Sequence, residues 1–196
     1  MFGEAQKGTR HVAQNVRGDR CHVPFGLCRV LRSQRTNATV VEAACGATTQ
    51  IGTLYVADGI ASRSTLCPEM LPRTSCVRKV IQVPVRTVDS IVQEANLERV
   101  DFVLIGVEGF QLEVLKGFTL SRVKPRLMIV EDHLRDYKTH LHMTRGGCRL
   151  VKRVARNNGY VPNDARFDLA GPLERLNLHR RLWLNTPFRA IKRAVR

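Results

Sequence analysis

Residues Val100–Gly117, VDFVLIGVEGFQLEVLKG, restrict the architecture more than any other stretch. Val100–Val107 carries apolar side chains at both parities, which predicts a parallel strand covered on both faces. Gly-Val-Glu-Gly breaks the run abruptly. Apolar residues then return at helical spacing as Phe110, Val114, Leu115 and Phe118, with Gly117 closing the helix near its C-terminus. In an open parallel sheet, ligands bind beyond the carboxyl ends of the strands. Glu108 sits at such an end, beside a glycine that permits a tight turn and a close approach to the backbone. A carboxylate there can hydrogen-bond a ribose, hold a cation or take a proton. Capping of the following helix explains Glu108 equally well at this point.

The rest of the chain fits that frame. Gln50–Ala57 and Val77–Val85 alternate with period two and read as strands, Pro84 marking the end of the second. Asn37–Cys45 reads as another strand, Pro24–Ser33 as a short amphipathic helix, and Ile60–Arg73 as a loop. Thr87 is a good N-cap, with Asp89 in the first turn and Val88, Ile91, Val92 and Ala95 as the inner stripe. Lys124–Glu131 is a second buried strand, followed by a polar segment, Asp132–Arg145. Leu150–Asn158 is expected to be helical, ending at Asn157-Asn158-Gly159, with Tyr160–Phe167 and Arg181–Asn185 as final strands. From residue 77 onward, this alternation is that of a doubly wound α/β domain.

Composition narrows the partners. The 196 residues suffice for one domain with a real core. No apolar run approaches the roughly 20 residues of a membrane helix, and the first sixteen residues lack the hydrophobic centre of a signal peptide. A cytoplasmic protein without a membrane partner is expected. The net charge of +15 is spread along the chain, and aromatics make up only 6%. The Arg/aromatic interleaving of single-strand binders is therefore absent, and no specific nucleic-acid partner is expected. The six cysteines form no C-x-x-C pair and, with the histidines, no zinc-ligand spacing. They are expected as reduced core thiols, with no metal site.

The stretch around Glu108 resembles the signature of the FkbM family of S-adenosylmethionine-dependent methyltransferases, (I/V)D-x-x-KIDVEG-x-E-x-x-VLKG. Upstream, VPVRTVDSIV is similar to the family's strand and helix start, and TVVEAACGATTQIGTLYV followed by SRSTL to its hairpin and serine segment. Downstream, PRLMIVE and NNGY resemble its later strand and glycine–tyrosine turn. The resemblance spans roughly residues 25–170. It implies an α/β, class I methyltransferase-like (Rossmann-like) doubly wound sheet. It also implies methyl transfer from S-adenosylmethionine, usually to a hydroxyl of a sugar or another small-metabolite acceptor. Residues 1–24 then form a divergent N-terminal segment, 25–185 the methyltransferase domain and 186–196 a basic tail.

Carried onto this chain, the resemblance implies Glu108 and Gly109 at the cofactor, with Ala44 and Gly46, whose small size would let adenine pack closely. A plain turn accounts for Ala44-Cys45-Gly46 equally. The family's ribose-binding acid is expected shortly before Phe25, where Asp19 is the candidate. Glu131-Asp132-His133 follows a parallel strand into the same crevice. His133 is a candidate general base, with Glu131 or Asp132 orienting it or joining Glu108 on a divalent cation. A solvated loop with a chance histidine is the competing account. Ser62 and Ser64 belong to the serine segment or to an ordinary loop, and His140 and His142 are expected at the surface.

Three signature positions depart from the family. Leu104 replaces its Lys, Gly106 its Asp and Gln111 its second Glu. No G-x-G-x-G follows a strand, so the family's first strand and glycine-rich loop are expected to be missing from a chain truncated or diverged at its N-terminus. The alternative to an enzyme is a catalytically inactive methyltransferase-fold remnant or binding protein.

Overall fold

The computed structural model describes residues 11–13, 28–29, 32–34, 38–57, 64–71, 77–132, 137–166 and 170–184. Nine strands appear among them: β1 (His11–Ala13), β2 (Ala38–Val40), β3 (Ala44–Cys45), β4 (Gln50–Ala57), β5 (Val77–Arg86), β6 (Phe102–Ile105), β7 (Leu127–Glu131), β8 (Cys148–Val154) and β9 (Asn157–Pro162). The helices are α1 (Val88–Glu94), α2 (Gln111–Lys116), α3 (Leu120–Val123), α4 (Lys138–Arg145) and α5 (Pro172–His179), the last continuing as a π-helical turn over Arg180–Leu184.

The strands form three sheets. β1 and β2 pair in parallel, with helical residues 28–29 and 32–34 between them in the chain. β3, β5 and β4 form a second sheet, in which β4 and β5 are antiparallel and β3 joins the end of β5 in parallel. The third has the order β6-β7-β9-β8: β6 and β7 are parallel, β9 runs antiparallel to β7, and β8 runs antiparallel to β9. The expected doubly wound parallel arrangement thus appears in part, within mixed sheets. The strand β1 falls in the first twenty residues, where periodicity is weak.

The main core lies where α2, α3 and α4 cover the third sheet. Leu115, Val130, Met143 and Tyr160 are fully sealed, with Val114, Phe118, Met128 and Cys148 around them. Burying side chains of this size is the main stabilising term, at about 1.5–3 kcal/mol each. Thr87 caps α1 as its sequence predicts, its Oγ1 accepting from Ser90 N at 3.1 Å. Asp89 ties α1 to the start of α3, accepting from Thr119 N at 3.0 Å and Thr119 Oγ1 at 2.5 Å.

Several expectations are corrected. Leu150–Asn158 is not a helix but most of the β8–β9 hairpin, turned at Ala155, whose φ is 52°. The register shifts between Leu150 and Lys152. That bulge buries both Cys148 and Val151, three residues apart, and so imitates helical spacing. β9 accordingly starts at Asn157 and stops at Pro162. The segment expected as a strand, Arg181–Asn185, is helical through Leu184, because it prolongs α5. Within the polar segment, Lys138–Arg145 is helical. Asn37–Cys45 divides into two short strands. Pro84 lies inside β5 opposite Ile51, its ring exposed to solvent. Strand β6 is not covered on both faces: Phe102 is 52% and Leu104 61% exposed.

A close backbone approach joins the second sheet to this core. A Cβ on Gly117 would lie 2.1 Å from the Gly46 carbonyl oxygen and 3.3 Å from Thr87 Cβ. Gly117→Ala should therefore cost at least about 2 kcal/mol through overpacking against backbone. Removing the cap in Thr87→Ala should cost only about 1 kcal/mol. Urea unfolding of the two variants checks the order, and a neutral Gly117→Ala would refute the close approach.

Candidate functional site

β6 ends at Ile105, and its backbone runs through Gly106 and Val107 into a sharp reversal. Glu108 and Gly109 both adopt left-handed conformations, with φ 44° and 98°. Phe110 N then donates to Val107 O at 3.2 Å, and α2 begins at Gln111. A left-handed residue with a side chain costs about 1–3 kcal/mol and persists only where its surroundings hold it. Here the holder is Thr65, whose hydroxyl donates to Glu108 O at 3.1 Å and accepts from Cys67 N at 3.0 Å. Thr65 is itself fixed by a two-bond bridge to Tyr55 on β4. Sequence reading passed over Thr65; its only signal was its place in SRSTL. Ser64, one residue earlier, is buried; Ser62 lies outside the described residues.

The structure brings two expected site residues, Glu131 and Gly46, up to the signature segment. Glu131 ends β7, alongside β6, and its Oε2 stands 3.3 Å from where a Cβ on Gly106 would be. Glu131 thus reaches across the position where the family carries Asp. Gly46 packs against Val85 and, at 3.5 Å from its would-be Cβ, against Phe110 of the signature turn. Ala44 lies two residues before it on β3 and packs partly buried against the hairpin core. His133 and Asp19 both fall outside the described residues.

Behind Glu131 lies a buried polar group. Asp132 is buried, its N donating to Arg156 O at 2.7 Å and its O accepting from Arg153 Nη2 at 3.1 Å. Arg153 also donates to the Asn158 side-chain oxygen. Tyr160, fully buried on β9, has its phenol pushed far above the ordinary range, first by burial and then by the charge of Asp132. His140 faces it, Nδ1 lying 3.3 Å from the hydroxyl. His140 is therefore a buried residue, contrary to expectation, because α4 turns that face into the core. His142 is half-buried, its Nε2 3.2 Å from Leu115 O. Among the described residues, no group of three His, Cys, Asp or Glu side chains is placed to share a metal ion.

Gln111, at the first position of α2, is buried, and its Oε1 has no hydrogen-bond partner among the described residues. A buried acceptor left unpaired is costly, by about 1–3 kcal/mol.

Gln111→Leu should therefore raise unfolding stability by about 1 kcal/mol, and a denaturant midpoint that falls would show that the amide is satisfied. The Tyr160 phenol contributes stability that is complete below the ordinary tyrosine pKa of about 10 and is lost as pH rises above it, where the unfolded chain releases the proton more readily. The penalty of Tyr160→Phe should thus be largest at neutral pH and shrink above about pH 10. Urea titrations of both proteins across that range test the sign.

In comparison with known protein families, the model of the methyltransferase FkbM domain matches residues 5–161. No curated protein and no solved structure matches the chain. The match takes in β1 through nearly all of β9, including the turn at Glu108-Gly109 and the Glu131 strand end. The chain belongs to the FkbM methyltransferase family, and the family implies a class I methyltransferase-like α/β fold.

Proposed function

We propose that this chain is an O-methyltransferase that moves a methyl group from S-adenosylmethionine to a hydroxyl of a sugar or another small metabolite. The observation that carries the reading is the strained Glu108-Gly109 turn at the carboxyl end of β6, beside the Glu131 carboxylate at the end of β7. The described residues suit such a cofactor in one specific respect. The buried, unpaired Gln111 acceptor adjoins the Glu108-Gly109 turn, and the cofactor's ribose hydroxyls and amines are donors.

When bound, S-adenosylmethionine supplies an electrophilic methyl on a sulfonium. Glu108 and Gly109 would hold the cofactor, with Ala44 and Gly46 bordering it through Phe110. Glu131 would orient the acceptor hydroxyl and receive its proton, alone or with His133, while the methyl carbon would exchange its bond to sulfur for one to the acceptor oxygen, leaving the thioether. General-base help of this kind contributes about 10²–10⁴-fold, and alignment of acceptor with methyl supplies much of the remainder.

A second reading rests on observations of its own. Gly106 leaves the strand end without the family's carboxylate. Among the described residues β6 is an edge strand, with Phe102 and Leu104 open to solvent. In a class I sheet the first strand lies beside the strand that carries this signature. An uncovered position there favours an inactive remnant that binds weakly or not at all.

Isothermal titration and thermal shift with S-adenosylmethionine separate the readings. The enzyme reading expects measurable heat and a rise in Tm. It also expects Glu108→Gln to weaken that binding, and Glu131→Gln to retain it while lowering kcat about 10²–10⁴-fold. No heat and no shift at millimolar cofactor would establish the remnant.

A further inference from the structure

The helix Pro172–Leu184, formed by α5 and its π-helical continuation, has two apolar faces. One is spent on the fold: Leu178 and Leu182, four residues apart, are buried. The other is open. Leu173 is 79%, Leu176 68% and Trp183 48% exposed, and their spacings of three and seven place them along one side of the rod. Arg180 continues that row, and Trp183 rests on Tyr137, the ring centroids 5.1 Å apart and nearly parallel. The Tyr137 hydroxyl donates to the Trp183 carbonyl at 3.3 Å, which fixes the pair.

The sequence of this helix and of the residues that follow it is strongly basic. From Pro172 to Arg196 the sequence carries Arg175, Arg180, Arg181, Arg189, Lys192, Arg193 and Arg196 against a single acid, Glu174. Glu174 is engaged by Lys152 at 2.7 Å. An exposed leucine–tryptophan row on a helix that also exposes Arg175 and Arg180 matches the interfacial pattern of helices that lie on membranes, with apolar side chains below the headgroups and cations among them. Two copies of the chain would bring arginines against arginines. A nucleic acid would engage the arginines but leave the leucines in water.

We propose that this face docks the protein onto an anionic phospholipid surface. No helix is long and apolar enough to cross a membrane among the described residues, so the contact is peripheral. It departs from the expectation of a chain without a membrane partner, because that expectation weighed only spanning segments and leaders. The docking is independent of methyl transfer and would hold for an inactive chain.

Trp183 is the sole tryptophan, so intrinsic emission of the full chain reports this site directly. Vesicles of phosphatidylcholine and phosphatidylserine should shift the emission to the blue and carry the protein down on sedimentation. Phosphatidylcholine alone should do neither, and high salt should weaken the binding at least about tenfold. L173E/L176E changes side chains that the fold leaves in water. It should keep the wild-type Tm and lose the blue shift and the co-sedimentation, and Arg180→Glu should weaken binding severalfold. The proposal is overturned by absence of phosphatidylserine-dependent binding. It is equally overturned by binding that L173E/L176E leaves unchanged, by an equal blue shift with duplex DNA, or by a vesicle-free dimer that the double variant dissolves.

Discussion

The contact on which the remaining geometry depends is the approach of Gly117 to the carbonyl of Gly46, too close for any side chain at position 117. It locks the C-terminal end of α2 against the end of β3. Thr87 and Asp89 meet the same point, Asp89 N donating to Gly117 O at 3.1 Å while its carboxylate holds Thr119. Three connections that are distant in the chain thus share one junction. Because α2 is held at that end, its opposite end, with the signature turn, is aimed rather than left to fray. A small loss of packing here would reach the site through a rigid helix of six residues.

The turn itself stores strain and is supported from outside its own segment. Thr65 supplies the support from the connection between β4 and β5, so the antiparallel hairpin serves the site as well as its own sheet. At the end of β6, the family's Asp position is Gly106, and the Glu131 carboxylate stands 3.3 Å from where a Cβ on that glycine would be. Two carboxylates at that spacing would repel each other and would call for a proton or a cation between them. With glycine there, Glu131 has no carboxylate facing it from position 106. The acids left at this strand end are therefore Glu131 and, in the turn itself, Glu108.

Local reading succeeded where a segment's neighbours in space are also its neighbours in sequence. Thr87 as a cap, Gln50–Ala57 as a strand and the strand–turn–helix at Glu108 all follow from steric and hydrogen-bonding rules acting over a few residues. It failed at Leu150–Asn158, where the bulge near Val151 converts period two into a three-residue spacing. It failed again at Arg181–Asn185, since a helix already nucleated at Pro172 propagates at little cost, whatever strand tendency Leu182, Trp183 and Leu184 possess. His140 was misplaced because a polar segment hides which turn of its helix faces inward.

By itself the sequence determined the family, the signature turn with its acid and glycine, and the helix that follows, because these are written in contiguous residues under local sterics. Only the tertiary structure decided that Thr65 clamps a turn 43 positions away, that Glu131 faces the vacant position at Gly106, and that His140 and Tyr160 share a buried contact. It alone showed that the C-terminal helix keeps a second apolar face in water. Such pairings arise from strand register and helix rotation about a common core, and neither leaves a trace in the local spacing of residues.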